Sequence, residues 1–151
     1  MTSIFELLGE DKGFSLAASS ISIGNVYRIK MNEENGVIPK PGDDSRNKFF
    51  VVLGYTVEGY LYGGVIMNSS INRNIPLAKK MYHMDIRMDK YEFLDRNSFI
   101  DCSSLMHVPI DKFNKWEFSG VMNDDDLEYI MGAVKECPTI SKKELQRFNI
   151  I

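Results

Sequence analysis

The chain has 151 residues, 44% of them hydrophobic, with 18 Lys and Arg against 21 Asp and Glu and a formal net charge of −3. That length is enough for one domain with a real core, and the apolar and aromatic content excludes a disordered chain. A net-negative balance also excludes a general nucleic-acid coat, which carries a large positive excess, but leaves room for a local basic groove.

The two cysteines, Cys102 and Cys137, show no CxxC spacing. They are too few for a disulfide scaffold, so a reducing, cytoplasmic setting is expected. The opening MTSIFELLGEDKG has no apolar run of signal length, and no stretch approaches the roughly 20 apolar residues that span a bilayer, so no membrane association is expected.

In chain order, Ser3 and Glu6 stand at capping-box spacing for a short helix, and residues up to 22 read as an arm. NVYRIKM, 25–31, alternates: Tyr27, Ile29 and Met31 share one face, Arg28 and Lys30 the other, as in a half-buried strand. NEENGVIPKPGDDSRN, 32–47, is a long polar loop with two prolines, and loops of that length usually carry function. The unbroken apolar run of KFFVVLG, 48–54, is a strand buried on both faces. A turn at Glu58-Gly59 leads into the strand 60–67, whose Gly63-Gly64 pair predicts a bend or bulge.

NSSINRN is a polar connection, 75–88 reads as one bent strand, and 98–108 as the last strand. The period then changes. Leu127, Ile130, Met131 and Val134 fall on one helical face, with Asn123 as N-cap, Asp124 to Asp126 in the first turn and Pro138 as the stop. Ser141 and Glu144 repeat the capping-box pattern for a short helix to about Phe148. The predicted fold is mostly β with a C-terminal helix: a small barrel or open sheet over 24–110, covered by helices at 123–151, in one domain. No βαβ alternation or phosphate-binding glycine motif is present.

Several residues carry chemistry in principle. His83 and His107 have a pKa suited to acid/base work but sit in different strands without distinctive context. Asp124, Asp125 and Asp126 attract hard cations as a class, yet helical neighbours point about 100° apart, so capping is the better role. Cys102 has no sequence neighbour to lower its thiol pKa and reads as a buried small hydrophobe. Arg46 and Lys48 open one strand, while Asn68, Ser69 and Ser70 close the next. Antiparallel pairing would bring these two groups to one rim, where a cation and neutral donors stabilise developing phosphate charge.

The order of these segments resembles the MazF/PemK family of toxin endoribonucleases over about residues 24–135. GNVYRIKM is similar to that family's opening strand, RNKFFVVLG to its second, GGVIMNSS to the third with its small polar exit, and SFIDCSSLMHV to a later strand. The helix carrying Leu127, Ile130, Met131 and Val134 is similar to the family's closing helix. The resemblance implies a small SH3-like barrel with one or two short helices, often a homodimer, inhibited by an antitoxin protein. It implies cleavage of single-stranded RNA with no metal and no cofactor. The family's catalytic arginine aligns with Lys48, with Arg46 two residues upstream, and its threonine or serine aligns near Asn68, next to Ser69 and Ser70. On that reading Lys40, Arg73 and Tyr27 contact the RNA. The alternative function is a barrel of the same shape that only binds protein or nucleic acid.

Overall fold

The computed structural model describes residues 21–31, 46–111 and 116–151. The Ser3–Glu6 cap, most of the expected arm and residues 32–45 of the expected loop lie outside these. Among the described residues seven strands form one antiparallel sheet, and three short helices accompany it.

The continuous apolar run builds the centre of the sheet. Strand β2, Arg46–Tyr55, lies between β1, Asn25–Met31, and β3, Leu61–Asn68. Strands flanked on both sides and covered on both faces need apolar side chains at every position. Accordingly Val51 and Leu53 enter one core cluster while Phe50 and Val52 enter another. β1 supplies Tyr27, Ile29 and Met31 to the second cluster and leaves Arg28 and Lys30 exposed. The predicted alternation therefore holds.

The hairpin between β2 and β3 turns on Gly59, at φ 74, with the Gly59 N–H donating to the Thr56 carbonyl at 2.8 Å. The predicted irregularity near Gly63-Gly64 is a bulge on the partner strand. Val52 pairs with Gly64 and Gly54 with Gly63, so Leu53 is the extra residue. The other edge of β3 is shared. Its first half pairs with β6, Met106–Pro109, and its end with β5, Ser98–Asp101. β5 carries β4, His83–Ile86, and the far side of β1 carries β7, Glu117–Val121. β4 and β7 do not pair with one another among the described residues, so the sheet is open there.

Three expectations need correction. Residues 75–88 are not one strand: α1, Leu77–Lys80, follows Pro76, whose carbonyl accepts from the N–H groups of Lys79 and Lys80. Proline suits a helix start, where its missing N–H costs nothing. Residues 98–108 are two strands, because the Asp101 carboxylate accepts from the Ser103 N–H at 2.9 Å and closes an Asx turn. The strand β7 was not expected at all.

Helix α2, Asp124–Glu136, starts where predicted, with the Asn123 side chain accepting from the Asp126 N–H at 2.8 Å. It lays Ile130 and Val134 into the first cluster. Helix α3, Lys142–Arg147, is capped by Ser141. It ends in a Schellman motif: Asn149 sits at φ 58, Ile150 N–H donates to the Leu145 carbonyl, and Asn149 N–H donates to that of Gln146. This places Phe148, fully buried, over Gly54 and Gly63 of the hairpin. No helix among the described residues is long and apolar enough to cross a membrane.

Gly132 sits on the exposed side of α2, and a methyl group added there meets nothing within 4 Å. Glycine costs about 0.8–1.0 kcal/mol relative to alanine inside a helix. Gly132→Ala should raise stability by about that amount, read as a higher urea midpoint at unchanged slope.

Candidate functional site

The antiparallel register decides where the cationic start of β2 lies. Phe50 pairs with Ile66, and two residues further along Lys48 stands across from Asn68. Their side chains meet: the Lys48 ammonium donates to Asn68 Oδ1 at 2.7 Å. Asn68 is held from its other side by pairing with Phe99 of β5, and Lys48 pairs with Ile29 of β1. The amide that receives the ammonium is thus built on a three-strand frame. Lys48 is only 9% exposed, an unusual setting for a lysine. Ser69 and Ser70 follow as an exposed bend. Arg46 opens β2 opposite Met31.

Three further residues are expected to contact RNA. Lys40 lies outside the described residues. Arg73 is exposed, and its carbonyl accepts from the Lys80 ammonium at 2.7 Å. Tyr27 is buried, with its ring against Trp116 and Phe118. Burial pushes its hydroxyl pKa up, against a lowering effect of the hydrogen bond from Asn25. It is a core side chain on the same face as Ile29, with no free ring face on which a base can stack.

The two histidines have separate partners. His83 Nδ1 lies 2.9 Å from the Lys79 carbonyl, which assigns the proton to that nitrogen, and Nε2 is 3.6 Å from Asp101. His107 Nε2 is 3.1 Å from Glu144, with its ring against Phe148. Cys102 is fully buried, and burial first, then Asp101 and Cys137, push its thiol up to about 12. It is protonated at neutral pH and is no nucleophile. Among the described residues no group of three or more His, Cys, Asp or Glu side chains is arranged to hold a metal ion.

Of the three aspartates only Asp126 turns inward, to 5% exposure. It accepts from the Lys90 ammonium at 2.8 Å and from the Tyr91 hydroxyl at 2.5 Å, and that hydroxyl accepts in turn from the Asn123 N–H. The trio ties the start of α2 to the turn between β4 and β5. Burial raises the Asp126 pKa, but the bonds from Lys90 and Tyr91 and the lysine charge outweigh it, leaving the carboxyl below its ordinary value. Burial and its bond to Asp126 push Tyr91 up to about 12.

Asp126→Asn should cost about 2 kcal/mol at neutral pH, most of it from the buried tyrosine bond, since Lys90 is half exposed and screened. A carboxyl lowered in the folded state stabilises above its unfolded pKa of about 4, and that contribution disappears as pH falls through the folded value. Urea titrations of the two proteins should therefore converge in acid. A constant gap from pH 7 to pH 3 would contradict this role.

A concave region that the sequence did not signal lies between α2 and the 81–83 segment, with a volume of about 430 Å³. Its trace in the sequence is Gly132 flanked by Glu128 and Glu136 at four-residue spacing. No protein-family model matches the chain, and a search of the curated proteins finds no match.

Proposed function

We propose that this chain is a metal-independent endoribonuclease acting on single-stranded RNA, built on an SH3-like barrel of the MazF/PemK kind. The observation that carries the reading is the 2.7 Å contact between Lys48 and Asn68, which joins the cationic start of one strand to the hydroxyl-bearing exit of the next. Lys48 supplies positive charge beside the scissile phosphate, and Arg46 adds to it. Ser69 and Ser70, exposed immediately after Asn68, orient the non-bridging oxygens.

The chemistry needs little more. The 2′-oxygen attacks its own phosphorus, the bond from phosphorus to the 5′-oxygen breaks, and the 2′-hydroxyl proton passes to solvent while the leaving oxygen gains one. A fixed cation lowers the barrier by stabilising charge on the crowded phosphate. The reading places the protein in the cytoplasm, with single-stranded RNA, an antitoxin protein and a second copy of the chain as partners.

A second reading has its own support. Lys48 is almost buried and engaged by Asn68, which suits a strut as well as a catalyst. A barrel of this kind would bind RNA or protein without cutting it. The two readings separate in one experiment. Purified protein is incubated with a mixed-sequence single-stranded RNA in EDTA, and products are resolved on a gel. Cleavage by the wild type supports the enzyme, whereas intact RNA at micromolar protein with a measurable gel shift supports the binding module.

A further inference from the structure

We propose that the groove between α2 and the 81–83 segment is a docking site for a basic, amphipathic segment of a second protein. This stands independently of the RNA reading. Lys48 shares the face of β2 that carries the second core cluster, whereas α2 packs on the first.

The groove joins apolar surface to an acidic rim. Met81 and Tyr129 stand 71% and 61% exposed on its two sides, and Leu77, one helical turn before Met81, is 72% exposed. Large apolar groups left open around a groove are a recurrent mark of a binding surface. Glu128 and Glu136 line the same groove eight residues apart on α2. At 1.5 Å rise per residue they are about 12 Å apart along the axis, close to the separation of cations two turns apart on a partner helix.

Gly132 lies midway between the two carboxylates. Glycine is the poorest helix former after proline, and nothing in the described chain fills the space over it. Its effect is to let an incoming side chain reach the helix backbone between the two acids. The wall opposite is fixed, because the Tyr82 hydroxyl donates to the Glu136 carbonyl at 3.4 Å. The nearby cations are directed to other partners, Lys79 to Ser104 and Lys80 to the Arg73 carbonyl. The exposed charges of α2 are Asp124, Asp125, Glu128 and Glu136 against Lys135 alone, so its outer face is complementary to a basic partner.

The test uses the full chain and two synthetic amphipathic helical peptides of about four turns, one of leucine and lysine, the other of leucine and glutamate at identical spacing. Calorimetric titration should show the leucine–lysine peptide binding and the leucine–glutamate peptide not. Gly132→Leu fills the groove without changing charge, on an open helical position where it favours folding. It should weaken binding at least about tenfold, as should Glu128→Gln with Glu136→Gln. No binding of the basic peptide, equal binding of the acidic one, or undiminished binding by a folded Gly132→Leu protein each overturns the proposal.

Discussion

Replacing Gly64 by alanine is expected to destabilise the protein by about 3 kcal/mol or more, the largest stability effect of any single-methyl addition described above. A Cβ at this position would overlap the Val51 carbonyl oxygen and press within 2.8 Å of the Phe50 ring. Neither neighbour can yield cheaply. Val51 is backbone in the central strand, paired to Val26 on one side and Val65 on the other, so moving its carbonyl disturbs two ladders. Phe50 is fully buried among Tyr62, Trp116 and the β1 side chains. Gly120→Ala is the internal comparison. There the added methyl meets only the Phe93 ring, a partly buried side chain that can shift, and the loss should be about 1 kcal/mol or less. Urea denaturation of both variants checks the ranking, and equal losses would show that the hairpin backbone is softer than its pairing implies.

How much of this was legible depends on whether a feature leaves a periodic trace. β1 announced itself by alternation and β2 by an unbroken apolar run, and α2 and α3, unlike α1, by the caps Asn123 and Ser141, because those patterns follow directly from local sequence. β7 left no such trace. It is mostly exposed, with Phe118 and Val121 facing out, and it is a strand because β1 offers an edge to pair with. The split of 98–108 depends on one carboxylate turning back to Ser103, which competes locally with the ladder and does not alter the apolar pattern.

The convergence of Lys48 with Asn68 was readable for a topological reason: a tight hairpin forces the start of one strand to the end of the next. The assignment of Tyr27 to RNA contact went against the same alternation that buried Ile29 and Met31 beside it. The Lys90–Tyr91–Asp126 trio was not readable, since its members stand 35 and 36 residues apart and meet only through packing.

On the proposed ribonuclease reading, Lys48→Met is expected to reduce RNA cleavage by about 10²–10³-fold, the usual consequence of removing one group aimed at transition-state charge. Methionine nearly conserves the volume of the lysine stem, so the core around Ile29 and Phe50 stays filled, and the half-buried Asn68 amide can turn to water. The variant should fold with a urea midpoint near that of the wild type. Asn68→Ala should cost less, about tenfold, because it removes one hydrogen bond from the ammonium and leaves its charge in place. Lys48→Arg should retain a substantial part of the rate, since it keeps the cation while changing its donor geometry. Binding distinguishes a catalytic charge from a strut. If Lys48 contacts phosphate, its loss lowers affinity for a short single-stranded RNA and reduces the salt dependence of binding by about one phosphate contact. A methionine variant that is folded, binds with unchanged salt slope and cleaves like the wild type would confine Lys48 to holding β2 against β3, and the chemistry would have to be sought elsewhere on the sheet.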